Sequence, residues 1–461
     1  MSITQAEKKN ASDRLLGLFG EVRGGEAWTA ILLMLNLFFL LTGYLIIKTV
    51  REPLILAGGG AELKSYASAG QALLLFLIVP AYGFLASKVN RIKLITWVTL
   101  FFISNLIAFY ILAQLGVPIG LVFFLWVGIF NIFVVAQFWS FANDLYTQEQ
   151  GRRLFGIVAF GGSTGAIVGP RVAGWLLQPL GVFELLLVAG AILGGCILIS
   201  NIVNAREKIL GQTAAKKAAA EKPLGKEDGF KLVISQRYLF FIALLIIVLN
   251  LVNSTGEYIL GKIVTKEAQN KIAAAEQQAA APGVARVLTE RERKKIEHDF
   301  IGEFYGNFYF WVSSLAAGIQ LFLVSRILKY FGVAALFFLP AIALGGYLLI
   351  ALLPVLAYIE SIKVLENAAD YSLQNTVHQT LFLPTSREAK YKAKAAIDTF
   401  FVRFGDVMSA ILVFLGAQLA LSVGAFATVN IAMAVTWVLL AIGITRQYKM
   451  LSLAHVNASK G

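Results

Sequence analysis

Of the 461 residues, 58% are hydrophobic and only 15% charged, with a mean hydropathy of +0.73. Soluble domains average about a quarter charged residues, so no water-soluble fold could hide this much apolar surface. The formal net charge of +13 is accounted for by basic loops facing anionic lipid headgroups; with no compact basic domain, nucleic acid is not expected as a partner.

Apolar stretches of about 20 residues, each long enough to cross ~30 Å of hydrocarbon as a helix, recur nearly from end to end. In chain order they fall at 28–48, 64–86, 94–114, 119–142, 154–178, 182–203, 238–261, 303–325, 332–353, 355–377, 396–419 and 424–445. The predicted fold class is an all-α polytopic membrane protein with about twelve transmembrane helices. Residues 1–27 precede the first span and include an amphipathic stretch, Asp13 to Val22, suited to the inner membrane surface. They lack a short apolar run ending in a small-residue cleavage site, so no removable signal peptide is expected. Residues 204–237, Lys/Ala-rich with Pro223 and Gly225, read as a solvated linker between an N-terminal six-helix half, 28–203, and a C-terminal half, 238–445. Two parallel six-helix repeats with basic inner loops are the pattern of a major-facilitator-type fold.

An even number of spans puts both termini, including the tail 446–461, on one side. Placing them in the cytoplasm of a bacterial inner membrane assigns most of the 40 Lys and Arg to the inner loops, while the short outer loops 115–118 and 179–181 carry none. Segment 262–300 then falls outside despite Arg286, Arg291, Arg293, Lys294 and Lys295. Its interleaved acids and helix-forming composition make it a folded helical hairpin.

An ionisable group at mid-bilayer costs ~2.5–3.5 kcal/mol on insertion scales, so several in neighbouring spans must face a cavity or one another. Lys48, Arg51 and Glu52 lie near the end of the first span, Arg171 follows Pro170 in the fifth, and Glu257 and Lys262 close the seventh. The tenth carries Lys363, Glu366, Asn367, Asp370, Gln374 and His378, of which Lys363, Asn367, Asp370, Gln374 and His378 are spaced by threes and fours as one helical stripe. The eleventh adds Asp398, Arg403 and Asp406, the last two placed to pair. A cavity lined by Lys48, Arg51, Arg171, Glu257, Lys262, Lys363, Asn367, Gln374, His378 and Arg403 suits an anionic solute. Glu52, Glu366, Asp370 and Asp406 are its counter-charges or coupling groups. For any isolated pair, plain interhelical bonding is the simpler reading; the concentration of cations favours a translocation path.

Three chemistries are excluded. The single cysteine, Cys196, sits in an apolar run and leaves neither a disulfide nor a metal site to propose. Gly256 to Lys262 reads GEYILGK, close to a phosphate loop, but Ile263 stands where Ser or Thr is needed and no strand precedes it. No nucleophile, base and orienting group fall in recognisable spacing, so neither an enzyme nor a cofactor is expected. Gly161, Gly165 and Gly169, every fourth residue, read as a close helix-packing stripe.

The two halves echo each other after their fourth helices, where Asn143, Asp144 and Glu149 before Arg152 and Arg153 are matched by Asn375 and Glu388 before Lys390, Lys392 and Lys394; Asn143, Asp144, Arg152, Arg153, Lys392, Lys394 and Asp398 read as a cytoplasmic gating pattern. Phe138-Trp139-Ser140-Phe141-Ala142-Asn143, then Glu149 and Arg152-Arg153-Leu154-Phe155-Gly156, resembles the span four to five region of the plastid and bacterial ATP/ADP antiporters, the nucleotide transporter family. Lys390-Tyr391-Lys392-Ala393-Lys394-Ala395-Ala396-Ile397-Asp398, preceded by Asp370-Tyr371-Ser372-Leu373, is similar to that family's span ten to eleven signature. Arg51-Glu52 and Gly60-Ala61-Glu62 look like its elements after span one. The resemblance implies a twelve-helix major-facilitator fold and nucleotide counter-exchange, with Arg51 at the position of a family lysine. The chain departs where the family has Asp-Pro-Thr-Lys-Glu: here stand Asn375-Thr376-Val377-His378-Gln379. A branch with another anionic or nucleotide-like substrate therefore stays open.

The expected function is secondary transport of a small anionic solute, nucleotide first, by alternating access of a monomer in the lipid bilayer. Two rivals are a proton-coupled symporter or exporter using Glu366, Asp370 or Asp406, and a membrane scaffold whose polar spans dock a partner.

Overall fold

In hydrocarbon each backbone N–H and C=O must be satisfied without water, which a helix does within its own segment. The computed structural model describes residues 26–88, 91–146, 148–209, 229–281, 286–386 and 388–458, and these form helices joined by short connections, with no strand among them. The amphipathic stretch Asp13 to Val22, the linker residues 210–228, Arg387 and the side chain of Arg152 lie outside the described residues.

The helices are α1 (Glu26–Lys88), α2 (Arg91–Gln114), α3 (Gly120–Leu145), α4 (Gln148–Leu180), α5 (Glu184–Ile209), α6 (Gly229–Ser235), α7 (Arg237–Ala279), α8 (Glu290–Gly318), α9 (Val324–Phe331), α10 (Phe338–Leu352), α11 (Leu356–Ala369), α12 (Asn375–Leu381), α13 (Val402–Gln418) and α14 (Val423–Ala458). Eight described segments are long and apolar enough to cross a membrane; two of them, Glu26–Ile78 and Glu290–Leu352, have 53 and 63 residues, more than one crossing needs. The first of these bends sharply. Gly60 adopts φ +71°, a left-handed conformation that only glycine holds without strain, so α1 breaks there into two arms. The sequence places span one's end at residue 48, whereas the helix carries Lys48, Arg51 and Glu52 in its interior and runs on to the kink.

The chain divides into two compact units. The first is drawn from the described residues of Met1–Leu54, Leu77–Ala220 and Gly302–Phe310, the second from those of Ile55–Phe76, Glu221–Ile301 and Trp311–Gly461. In the first unit an aromatic cluster of Phe102, Phe109, Phe123, Trp126 and Phe130 is buried among α2 and α3. The glycine stripe lies against α1: a Cβ on Gly165 would stand 2.3 Å from the Phe38 carbonyl oxygen, and one on Gly161 2.1 Å from that of Met34. Glycine is therefore what allows these two backbones to touch.

In the second unit α7 packs on α13 and α14, and α10 on α14, around fully buried Tyr258, Tyr347 and Trp437. Residues 262–279 continue α7, and α8 starts at Glu290 behind a capping box in which the Thr289 hydroxyl accepts from the Glu292 backbone N–H and the Glu292 carboxylate accepts from the Thr289 backbone N–H. Arg293 pairs with Glu276 at 2.8 Å across the hairpin. Four π-helical turns, Ile319–Leu323, Asp370–Gln374, Ala389–Ala393 and Ile397–Phe401, lie in the later part of the chain.

Candidate functional site

The first unit gathers cations on aromatic faces. Arg51 pairs with fully buried Glu52, whose carboxylate also accepts a 2.9 Å hydrogen bond from the Tyr309 hydroxyl. The Lys48 ammonium lies 4.3 Å above the Tyr309 ring, and the Arg51 guanidinium 4.5 Å from the Phe124 ring. Arg171 donates to the Asn307 side-chain oxygen at 3.3 Å and faces Trp175 and Phe310 at 5.4 and 5.3 Å. Pro170 and the small residue Gly174 bring α4 close enough for this: a Cβ on Gly306 would stand 3.3 Å from the Pro170 carbonyl oxygen. At the start of α1, Arg153 makes a two-pronged pair with Glu26 at 3.1 and 3.2 Å, while Asn143 and Asp144 are exposed at the end of α3.

The second unit instead balances its charges. Lys363, with no exposed surface, donates to the Asn253 side-chain oxygen at 2.8 Å and to Glu366 at 3.1 Å, and lies 3.8 Å from Glu257. Glu257 accepts from Asn367 at 3.0 Å and meets Lys64 at 3.5 Å, and Tyr347 donates to Glu366 at 3.0 Å. Next to them, Lys262 and Tyr258 both donate to Glu62, at 3.1 and 2.9 Å. A buried ion can persist in such a place only when partnered and hydrogen-bonded on its remaining sides. On α13, Arg403 pairs with Asp406 at 3.1 Å, and Asp406 also accepts from Asn250 and Ser254 at 2.8 and 3.0 Å.

The expected single stripe on the tenth span is divided. The π-helical turn Asp370–Gln374 inserts an extra residue per turn and so rotates the later part of the span relative to the earlier part. Lys363, Glu366 and Asn367, before it, join the ion network; Asp370, Gln374 and His378 line a separate cleft of about 380 Å³ with Asn250 and Asp398. There the His378 Nε2 and Asp398 Oδ1 are 2.7 Å apart, and Lys394 reaches the other Asp398 oxygen at 2.5 Å. Lys392 lies in the π-helical turn Ala389–Ala393 just before it.

Sequence reasoning did not assign a cavity role to Glu62, Lys64, Asn253, Tyr258, Tyr309 or Tyr347. Lys64 and Glu62 sat at the expected edge of a span, where charges are ordinary. The neutral Asn and Tyr residues give no signal against an apolar run until a carboxylate is seen beside them.

The fold is that of the major-facilitator-type transporters. A nucleoside transporter, NupG, superposes with a TM-score of 0.61 at 12% identity, covering 91% of this chain and 99% of that one. A bacterial homologue of the iron transporter ferroportin, in its inward-facing state, gives 0.61 at 12% identity over 90% and 98%. The sequence pattern of the TLC ATP/ADP transporter family matches residues 121–448, and the chain belongs to that family, in line with the resemblance read from its motifs. ADP,ATP carrier protein 1 of Chlamydia pneumoniae is 22% identical over 344 residues, 66% of this chain and 59% of that protein. Its counterpart in Chlamydia trachomatis is 23% identical over 60% of this chain and 54% of that one. The chain thus spans 54% to 59% of the length of these relatives.

Proposed function

We propose that the chain is a secondary transporter that exchanges nucleotides or a closely related phosphorylated anion by alternating access. The observation that carries this reading is the cation group of the first unit. Lys48 and Arg51 lie over aromatic rings, Arg51 pairs with Glu52, and Arg171 is held by the Trp175 and Phe310 rings and the Asn307 amide. An aromatic face positions a cation without neutralising it, so the Arg171 charge remains to meet phosphate. Family membership and the carriers it resembles give the nucleotide its place as first substrate. The test is exchange in liposomes loaded with ADP and offered labelled ATP. Uptake that requires internal nucleotide supports the proposal; equal uptake into empty liposomes sinks it.

A second reading has one specific observation behind it. Glu366 and Asp406 are paired with cations, but among the described residues no cation lies within ion-pair distance of Asp370. A carboxylate so placed in a membrane span is a candidate proton carrier. Accumulation driven by a proton gradient alone, lost in Asp370→Asn while exchange persists, would make the protein a proton-coupled transporter instead.

The reading includes an inner-membrane location, a monomer, both termini in the cytoplasm and the hairpin 262–300 outside. Cys196 is buried, so an introduced cysteine at Gln277 reports accessibility cleanly. A membrane-impermeant reagent should label it on intact cells and leave a cysteine at Lys217 unlabelled. The reverse pattern would invert the topology.

A further inference from the structure

The cleft of the second unit has a chemistry unlike that of either ion cluster. Its volume of about 380 Å³ lies within the range of small-molecule sites, roughly 300–1,000 Å³. Gln374, on its wall, is only 3% exposed, and neither its amide nitrogen nor its amide oxygen has a hydrogen-bond partner. The His378 Nδ1 is likewise buried without one. Buried polar atoms are nearly always bonded, so a donor and an acceptor side by side on one side chain call for a partner with the complementary pair.

Charge narrows what that partner is. The Lys394 ammonium is paired with one oxygen of Asp398, whose other oxygen faces the His378 Nε2. The Asn250 amide nitrogen already donates to the Val402 carbonyl and to Asp406. The wall presents to an occupant the Gln374 amide, buried and unbonded, and the Asp370 carboxylate, with the half-exposed ring of Tyr371 and the exposed amides of Asn375 and Gln379 beside them. Phosphate would meet a carboxylate and find no uncommitted cation. An uncharged ring carrying an amino group next to a ring nitrogen fits better: an amide pairs with that edge through two hydrogen bonds, as Asn and Gln do with adenine, and a carboxylate accepts from the amino group.

We propose that this cleft is a base-recognition subsite which takes the amino-substituted purine ring of a nucleotide through Gln374 and Asp370 and rejects phosphate. The proposal rests on the nucleotide reading above and supplies its selectivity. It also gives a consequence to the His378-Gln379 pair: with His378 turned to Asp398, this region holds a ring rather than an anion.

The test is equilibrium binding of adenosine, inosine and inorganic tripolyphosphate to the full-length protein in lipid nanodiscs. Adenosine should bind about tenfold or more tightly than inosine, whose ring carries a carbonyl where adenosine has its amino group. Gln374→Leu should weaken adenosine binding by a similar factor and leave tripolyphosphate binding unchanged. Should that variant not fold, the wild-type ratio decides alone: no adenosine binding, or equal affinity for adenosine and inosine, overturns the subsite. The two proposals fail separately. Selective, Gln374-dependent adenosine binding without nucleotide exchange in liposomes removes the transport reading and keeps the cleft. Exchange with unselective binding does the opposite.

Discussion

In the first unit Lys48, Arg51 and Arg171 lie over ring faces and Arg51 pairs with Glu52, whereas in the second Lys64, Lys262 and Lys363 meet Glu62, Glu257 and Glu366. The difference lies in what surrounds each ammonium or guanidinium. Tyr309, Phe124, Trp175 and Phe310 offer ring faces, which are worth roughly 0.5–2 kcal/mol to a cation and leave its charge in place. Carboxylates cancel the charge and fix the geometry. On the reading proposed above, cations held the first way meet the anion and cations held the second way serve the fold. On that reading the partner of a cation, rather than its residue type, marks a substrate contact.

The sharpest way to break that comparison is to remove one member of the balanced set. Lys363→Met leaves Glu366, whose side chain is 3% exposed, as a buried charge without its cation. Breaking a buried pair on one side costs about 3–5 kcal/mol, whereas replacing both partners with apolar groups is often close to neutral. The single variant should lose most of its thermal stability in detergent, and Lys363→Met/Glu366→Leu should recover it. A double variant as unstable as the single would mean that Lys363 acts through Asn253 or substrate rather than through Glu366.

The next effect belongs to the first unit and concerns its frame. Gly165→Ala places a methyl 2.3 Å from the Phe38 carbonyl oxygen, so α1 and α4 must separate. Overpacking of this kind costs about 1–3 kcal/mol. Because α4 also carries Arg171, the same change should lower exchange activity in the protein that still folds. Retained stability together with wild-type exchange would remove the close contact from the argument.

The charged residues of the spans were legible because hydrocarbon makes every such residue conspicuous, and the pairing of Arg403 with Asp406 came from their spacing alone. The helical rhythm gave the fold class for the same reason. What spacing could not reveal is the π-helical turn at Asp370–Gln374, since one extra residue in a turn leaves no mark on composition. A regular helix would put Lys363, Asn367 and Gln374 on one face, and the turn sends them to two different environments. The left-handed backbone of Gly60 hid the role of Glu62 and Lys64 similarly, because the arm it redirects is what carries them to α7.

Arg171 makes the comparison quantitative at a single residue. Its bonded partner is neutral Asn307, so Arg171→Gln removes a charge without stranding an acid. Stability should change by less than about 0.5 kcal/mol, the ordinary size for a substitution that breaks no buried network. Exchange should fall by about tenfold, the scale of one lost charge-assisted contact of ~1.4 kcal/mol. Arg403→Gln should reverse the pattern, since it leaves Asp406 with only Asn250 and Ser254 and so acts first on stability. Equal losses of stability in the two variants would dissolve the distinction between ring-held and acid-held cations.

The smallest expected effect is also the control for burial. Arg293 and Glu276 form an ion pair at 2.8 Å, slightly shorter than Lys363 with Glu366 at 3.1 Å, but their side chains are 47% and 40% exposed. Exposed pairs contribute about 0–1 kcal/mol, because water already solvates each ion and salt screens their attraction. Arg293→Gln should therefore leave thermal stability within that range, at low salt and at high. Distance would rank the two pairs one way and burial ranks them the other. If Arg293→Gln proved as damaging as Lys363→Met, the hairpin joining α7 and α8 would hold the fold by something other than its surface charges, and burial would lose its standing as the quantity that separates them.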